Sequence, residues 1–203
     1  MYINFCSRVL EGGHIFFLVS SKLRLSNFDL SMTIFLIGFM GCGKSHHGNK
    51  LAELLDYSFI DLDDWIADKA RMSIPTLFRE KGEAYFRQLE AKALRALGQN
   101  QNTVIACGGG APCFHQNVTW MNQHGITVFI DTSEELIYQR VMRKPNKRPL
   151  LKGKSQEELQ LFIQSKLEDR RSYYEQAQII LPQLQESDNF TLLLAKKIKE
   201  IPA

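Results

Sequence analysis

The chain has 203 residues, with 25 Lys and Arg side chains against 22 Asp and Glu side chains, for a formal net charge of +3. This length is typical of one domain, and 44% hydrophobic with 23% charged residues excludes a largely disordered chain. A charge of +3 is too small to indicate nucleic-acid binding. No apolar run approaches the roughly 18 residues of a transmembrane helix.

The four cysteines include no CxxC pair and no zinc-like cluster, which favours reduced thiols and a cytoplasmic protein. Residues 1–31 match a secretory signal poorly, because their apolar stretch, residues 15–19, is short and follows Glu11. We expect an irregular extension there, or a true start at Met32, which directly precedes the first convincing strand. Residues 32–203 are predicted to form a single domain.

Short apolar strands alternate with helical segments from Thr33 onward. The predicted strands are 33–37, 58–60, 103–107, 127–130 and 178–181. The predicted helices are 44–55, 65–70, 73–81, 83–97, 133–142, 155–176 and 189–200, with Gly82 separating two of them. This α/β alternation predicts a parallel sheet with helices on both faces, which binds ligands at the carboxyl ends of its strands. Residues 143–154 are basic, contain two prolines and a glycine, and are predicted to form a mobile loop.

Residues 38–45, GFMGCGKS, fit the pattern G-x-x-x-x-G-K-[ST] between a strand and a helix. The backbone N–H groups of such a loop and the helix N-terminus bind phosphate oxygens. Lys44 is predicted to contact the β- and γ-phosphates, and the Ser45 hydroxyl to bind Mg²⁺. The loop therefore predicts a nucleoside triphosphate with magnesium. An N-K-x-D motif for guanine is absent from the sequence, and the small size favours phosphoryl transfer onto a small molecule.

Asp61 and Asp63 lie two residues apart at the end of the second predicted strand, so we expect them to project toward the same face. One carboxylate can hold the metal through water, while the other orients or deprotonates an attacking hydroxyl. Gly108, Gly109 and Gly110 follow the third strand and leave backbone N–H groups open to a polar ligand. Arginines at 87, 148 and 170 can bind a planar carboxylate or phosphates.

Six motifs in order resemble the shikimate kinase family over residues 32–183. They are the phosphate loop, Phe59-Ile60-Asp61-Leu62-Asp63, Gly82-Glu83-Ala84-Tyr85-Phe86-Arg87, Gly108-Gly109-Gly110, Arg148-Pro149-Leu150-Leu151 and Arg170-Arg171-Ser172-Tyr173-Tyr174. The resemblance implies a P-loop fold of the nucleoside-monophosphate-kinase type, three-layered, with a five-stranded parallel sheet and a lid over residues 143–154. It also implies ATP-dependent phosphorylation of the 3-hydroxyl of shikimate, in the pathway to chorismate and aromatic amino acids.

The same resemblance implies roles for individual residues. Asp63 corresponds to the carboxylate that contacts the reacting hydroxyl, and Asp61 to the one near substrate and magnesium. The implied shikimate ligands are Asp63, Arg87, Gly109, Gly110 and Arg170. The implied nucleotide ligands are Gly41, Cys42, Gly43, Lys44, Ser45, His46, Arg140 and Arg148, with Arg148 on the lid and Arg140 near the position that stacks on adenine. Asp63, Lys44 and Arg148 are the expected catalytic residues.

The sequence departs from the family pattern after Gly-Lys-Ser, where Thr and an aliphatic residue are usual and His46 and His47 stand instead. Ser172 also replaces a common proline. Two alternatives stay open from the sequence: a gluconate-type sugar-acid kinase, and a catalytically silent nucleotide-binding module. The expected ligands are ATP, Mg²⁺ and shikimate. We expect a monomer with neither a nucleic-acid nor a membrane partner.

Overall fold

A computed structural model describes residues 32–143 and 155–201. Its strands are β1 (Thr33–Ile37), β2 (Ser58–Asp61), β3 (Thr103–Ala106), β4 (Gly125–Thr132) and β5 (Ile179–Gln183). Its α-helices are α1 (Lys44–Leu55), α2 (Leu62–Ala70), α3 (Ile74–Leu97), α4 (Asn117–His124), α5 (Glu134–Met142), α6 (Gln156–Tyr174) and α7 (Phe190–Lys199). A short 3₁₀ helix covers Ala111–Cys113.

The five strands form one parallel sheet in the order β2-β3-β1-β4-β5. β1 is the central strand, and its Phe35 lies opposite Ile105 of β3 and Thr127 of β4. Because neighbouring strands are parallel, each connection crosses a face of the sheet through a helix. This arrangement confirms the predicted α/β fold class.

Alternate residues of β1 supply the two apolar layers beside the sheet. Phe35 and Ile37 pack with residues of α2 to α6, whereas Ile34 and Leu36 pack with α1 and α7. All four side chains are 0% exposed. A strand that is buried on both faces reads as a continuous apolar run, which is why β1 could be predicted from the sequence.

Most predicted elements are present, and the differences concern their ends and the region after β3. The predicted break at Gly82 is confirmed, since this glycine interrupts α3 with φ 80° and ψ 166°, a conformation that few other residues adopt. α2 begins at Leu62 rather than at Trp65, because the Asp61 side chain caps it. The 3₁₀ helix and α4 were not predicted.

The phosphate loop follows β1, Asp61 ends β2, and Gly108 lies two residues beyond β3. These three strands are neighbours, so their carboxyl ends bring the three motifs to one edge of the sheet. Within residues 32–143 and 155–201, no helix is long and apolar enough to cross a membrane. Residues 1–31 and most of the predicted lid, residues 144–154, lie outside the described part of the chain.

Candidate active site

The phosphate loop is held in shape by backbone conformation and by its own lysine. Gly43 caps α1 in the left-handed region, with φ 97°. The Lys44 ammonium donates hydrogen bonds to the carbonyl oxygens of Gly38 (2.8 Å) and Phe39 (2.9 Å). Its positive charge therefore lies against the loop backbone, beside the N-terminus of α1. Both the ammonium and the helix end favour a bound polyphosphate.

Ser45 and Asp61 meet at the end of β2. The Ser45 hydroxyl donates to the Asp61 carboxylate over 2.5 Å, and the same carboxylate accepts the backbone N–H of Asp63 over 3.1 Å. The prediction that Asp61 and Asp63 share a face through strand alternation is wrong in its reason, because Asp63 belongs to the first turn of α2. The helix turn nevertheless keeps the two carboxylates near each other, and burial, followed by the charge of Asp61, raises the pKa of Asp63.

Arg87 is a buried arginine with two acidic partners on its own helix. Its guanidinium donates to Glu90 (2.8 Å) and to Glu83 (3.0 Å), and it is stacked 4.5 Å from the Phe114 ring centroid. A Cβ built at Gly110 would lie 2.5 Å from Arg87 Nη2, so the guanidinium rests directly on the glycine backbone. The position of this charge is therefore fixed by two carboxylates, one aromatic ring and the Gly110 backbone.

Glu90 is 0% exposed and was missed by the sequence analysis. One of its oxygens accepts from Arg87, while Oε1 has no hydrogen-bond partner in the described structure. A Cβ built at Gly108 would lie 2.6 Å from Glu90 Oε1 and 2.8 Å from Asp63 Oδ1, so both carboxylates face this glycine. Burial raises the pKa of Glu90 to about 7, against the opposing effect of Arg87. Burial is also the main cause of the raised pKa of Asp63.

Arg170 reaches the same edge of the sheet from α6. A Cβ built at Gly109 would lie 3.5 Å from Arg170 Nη1 and 3.4 Å from the backbone nitrogen of Met40 in the phosphate loop. The buried Tyr174 hydroxyl donates to the Gly109 carbonyl over 2.5 Å. Tyr174 thus anchors the glycine segment one helical turn from Arg170, a role that the sequence analysis did not assign.

Arg140 lies on the other side of the phosphate loop. Its guanidinium donates to the Cys42 carbonyl (2.9 Å) and to the side chain of Gln183 (3.0 Å), and it forms a two-bond ion pair with Glu186. His47, inside α1, is buried beside this group, and burial together with the charges of His46 and Arg140 lowers its pKa to about 4. His47 is therefore neutral at physiological pH.

The structure brings most of the predicted site residues to one edge of the sheet: Gly41, Cys42, Gly43, Lys44, Ser45, Asp61, Asp63, Arg87, Gly109, Gly110, Arg140 and Arg170. His46 is exposed on the first turn of α1. Arg148 lies outside the described residues, so its predicted role stays a prediction. Glu90 could have been found from its spacing, because a carboxylate three residues after Arg87 faces it on a helix.

Residues 40–200 match the family model described as shikimate kinase. The chain is 44% identical over 147 residues to a shikimate kinase of Bacteroides fragilis, covering 72% of this chain and 82% of that protein. It is 40% identical over 148 residues to a shikimate kinase of Aquifex aeolicus, covering 73% and 84%. The chain belongs to the shikimate kinase family.

Solved structures of the family share the fold. The structure of shikimate kinase from Bacteroides thetaiotaomicron has a TM-score of 0.78 and 38% identity, covering 83% of this chain and 97% of that one. The Acinetobacter baumannii shikimate kinase, determined in complex with shikimate, has a TM-score of 0.72 and 35% identity over 84% and 92% of the two chains. The family assignment identifies the chain as an ATP-dependent kinase with a P-loop fold of the nucleoside-monophosphate-kinase type.

Proposed function

We propose that the chain transfers the γ-phosphoryl group of ATP to the 3-hydroxyl of shikimate, and that the site described above performs this reaction. The observation that carries the proposal is the position of Gly109. A Cβ built at Gly109 would lie within 3.5 Å of both the Met40 backbone nitrogen of the phosphate loop and the Arg170 guanidinium. A carboxylate-binding arginine thus lies next to a phosphate-binding loop, as a kinase with an acidic acceptor requires.

The acceptor is held by its carboxylate. Arg87 and Arg170 flank the segment Gly108-Gly109-Gly110, and each presents a planar guanidinium that can pair with a carboxylate through two hydrogen bonds. Arg87 loses little freedom on binding, because Glu83, Glu90 and Phe114 already fix it. The Gly109 and Gly110 backbone completes this end of the acceptor site.

Asp63 orients the reacting hydroxyl. The hydroxyl oxygen attacks the γ-phosphorus, the bond from that phosphorus to the β,γ-bridging oxygen breaks, and ADP departs with the electron pair. The hydroxyl proton passes to the Asp63 carboxylate, whose pKa is raised by burial and by Asp61. Lys44 lies at the phosphate loop and offsets the negative charge on the transferred group.

Ser45 and Asp61 fit a magnesium ion. Both residues offer oxygen ligands, the Ser45 hydroxyl oxygen and an Asp61 carboxylate oxygen lie 2.5 Å apart, and neither residue is fully buried. No cluster of three or more His, Cys, Asp or Glu side chains suited to a metal occurs among the described residues. These two residues would therefore hold the ion together with nucleotide oxygens and water, Asp61 through water. When bound, Mg²⁺ neutralises phosphate charge during the transfer.

The remaining nucleotide contacts are proposed from position. The backbone of Gly41, Cys42 and Gly43 surrounds the phosphates, His46 lies on the next turn, and Arg140 stands beside the loop. Arg148 is proposed to close onto the phosphates from the lid over residues 143–154. We also propose a cytoplasmic monomer without a nucleic-acid partner. The three free cysteines within the described residues and the net charge of +3 support this assignment.

The experiment is ADP production by the purified protein with Mg·ATP and either shikimate, gluconate or no acceptor. We expect turnover with shikimate alone. Turnover with gluconate alone would keep the fold and overturn the acceptor site. ATP binding without turnover on either acid would indicate the silent nucleotide-binding module.

A further inference from the structure

A series of buried and partly buried hydrogen bonds connects α7 to the phosphate loop through His47. His47 Nδ1 lies 3.0 Å from the Thr191 hydroxyl, and His47 Nε2 lies 3.2 Å from Gln183 Nε2. Gln183 Oε1 accepts from Arg140 Nη1 over 3.0 Å, and the same Arg140 nitrogen donates to the Cys42 carbonyl over 2.9 Å. The path therefore runs from Thr191 of α7 through His47 to the backbone of the phosphate loop.

The chemistry of the donors and acceptors allows only one arrangement of the protons and of the Gln183 amide in this hydrogen-bond series. Arginine has only donors, so the Gln183 atom that faces Arg140 is the amide oxygen, which also accepts from the Thr132 hydroxyl. The Gln183 amino group consequently faces His47 and donates to Nε2. His47 Nε2 must then be unprotonated, which leaves its proton on Nδ1, where it is donated to Thr191.

The part of this hydrogen-bond series formed by His47, Gln183 and Thr191 is shielded from water, whereas Arg140 is partly exposed. His47 is 5% exposed, Gln183 2% and Thr191 4%. The His47 ring packs 4.7 Å from the Phe190 ring centroid, and a Cβ built at Gly43 would lie 2.9 Å from its Cδ2. Water cannot easily replace a lost partner here, so removing one hydrogen-bonding group leaves another buried group unsatisfied.

We propose that His47 is a positioning residue for the nucleotide: through Gln183 it holds the Arg140 guanidinium against the phosphate loop. This inference rests on the proposed function for the identity of ATP as phosphoryl donor and extends it to a residue that does not itself touch the substrate. Without the imidazole acceptor, the Gln183 amino group loses its partner and only Arg140 and the Thr132 hydroxyl orient the amide. The amide oxygen is then a less firmly placed acceptor for Arg140. An aliphatic side chain at this position packs but cannot perform this task.

The test is the affinity for ADP measured by calorimetry, which needs no turnover. His47→Leu keeps an apolar side chain of suitable size and removes both hydrogen bonds, and we expect ADP affinity to fall roughly tenfold. His47→Gln offers an acceptor near the position of Nε2 and is expected to recover most of that loss. Shikimate affinity should change by less than about twofold in either variant.

Two further variants separate positioning from folding. Gln183→Met removes the side-chain amide that connects His47 to Arg140 and should lower ADP affinity by a similar factor. This variant keeps the inference testable if His47→Leu is unstable. In an Arg140→Lys background, His47→Leu should cause no further loss of ADP affinity. Leu184→Ala, at the exposed neighbour of Gln183, serves as the control for substitution at this strand end.

Three results would overturn the inference: wild-type ADP affinity in His47→Leu, an equal loss for ADP and shikimate, or additive effects of His47→Leu and Arg140→Lys. The proposed function fails separately if the wild-type protein binds ADP but does not produce ADP from Mg·ATP in the presence of shikimate. In that case the dependence of ADP affinity on His47 would still be measurable.

Discussion

Asp63 and Glu90 are the two carboxylates that face Gly108, and their different environments favour different roles. Asp63 is half-buried beside the phosphate loop, whereas Glu90 is fully buried and bonded to Arg87. Burial raises the pKa of both groups. We therefore propose that Asp63 accepts a proton from the acceptor, while Glu90 fixes Arg87, the proposed ligand of the acceptor carboxylate.

Replacing Asp63 by Asn removes the proton acceptor and retains the shape of the side chain. We expect kcat to fall by about 10²–10⁴-fold, the usual contribution of a positioned acid or base. ADP affinity should stay unchanged, because the phosphate loop is not altered. Steady-state kinetics together with ADP calorimetry measure the two quantities.

The control for this prediction is Asp64→Asn, which removes the adjacent, exposed carboxylate. Arg170→Ala provides the contrast, since loss of a carboxylate ligand should chiefly raise the KM for shikimate. An unchanged kcat in Asp63→Asn, or an equal fall in Asp64→Asn, would remove Asp63 from the reaction.

Glu90 predicts a pH dependence of stability. Its pKa is about 7 in the folded protein against 4.5 for the free side chain, so the folded state binds more protons between these two values. The contribution of Glu90 to the free energy of unfolding is therefore fully present below about pH 4.5. It falls as the pH rises from 4.5 through 7, by roughly 3 kcal/mol in total. Glu90→Gln should flatten this fall relative to the wild type.

Urea unfolding at a series of pH values between 5 and 8 measures the effect. The free energy of unfolding of Glu90→Gln should approach or exceed that of the wild type at the upper end. Glu83→Gln is the matched control, because it removes the other partner of Arg87 but from an exposed position. Parallel pH curves for the wild type and Glu90→Gln would contradict the prediction.

At the scale of elements, the segment after β3 shows where sequence reasoning stops. The glycines 108–110 were expected to offer backbone groups to a ligand. The sequence could not show that side chains from other elements also pack directly against their backbone. Gly110 supports Arg87, Gly109 approaches Arg170, and Gly108 faces Glu90. These contacts join α3 and α6 to the sheet, and such tertiary contacts are not encoded in a local pattern.

α4 was missed for a related reason. Its sequence, NVTWMNQH, contains β-branched and polar residues that do not favour a helix, and only Val118 and Met121 show the apolar spacing of a buried face. The Asn117 side chain instead ties the helix to the 3₁₀ segment by donating to the Ala111 carbonyl over 2.8 Å. Long-range packing therefore forms this helix where propensity is weak.

Gly110→Ala tests whether the close packing of Arg87 against the Gly110 backbone matters for shikimate binding. Gly110 has φ −96°, which alanine adopts without backbone strain, and the three atoms nearest to an added Cβ, at 2.5 to 2.8 Å, all belong to the Arg87 guanidinium. Because Glu83, Glu90 and Phe114 confine the guanidinium, the displacement should raise the KM for shikimate about tenfold or more and leave the KM for ATP unchanged.

A double-mutant cycle identifies the cause. If Gly110→Ala acts through Arg87, combining it with Arg87→Lys should be no worse for shikimate than Arg87→Lys alone. Additive losses would show that the alanine acts elsewhere, and a raised KM for ATP would place the disturbance in the phosphate loop.

At the scale of the whole molecule, the sheet could be predicted because each strand is a short apolar run ended by a recognisable motif. The phosphate loop, Asp61 and the three glycines follow β1, β2 and β3, so knowing that the strands are parallel was enough to place them at one edge. The strand order and the buried partners Glu90, Tyr174 and Gln183 depend on packing between distant segments, which the linear pattern does not contain.

We predict that the kinase domain does not require residues 1–31. The central strand starts at Thr33, both apolar layers close within the described residues, and Met32 packs on the layer formed with α1 and α7. The Thr33 hydroxyl also donates to the Gly98 carbonyl over 3.3 Å, which fixes the beginning of β1. A chain that starts at Met32 should therefore keep its melting temperature, and its kcat/KM for shikimate should stay within about twofold of the full chain.

A chain that starts at Gly38 is the control, because it lacks β1 and with it the middle of the sheet, and it should not fold. Thermal unfolding and steady-state kinetics of the three chains compare them directly. A clear loss of stability or activity in the chain from Met32 would show that residues 1–31 contribute to the domain, and the proposed boundary would then be wrong. Equal behaviour would place all the groups needed for phosphoryl transfer, including Arg148, within residues 32–203.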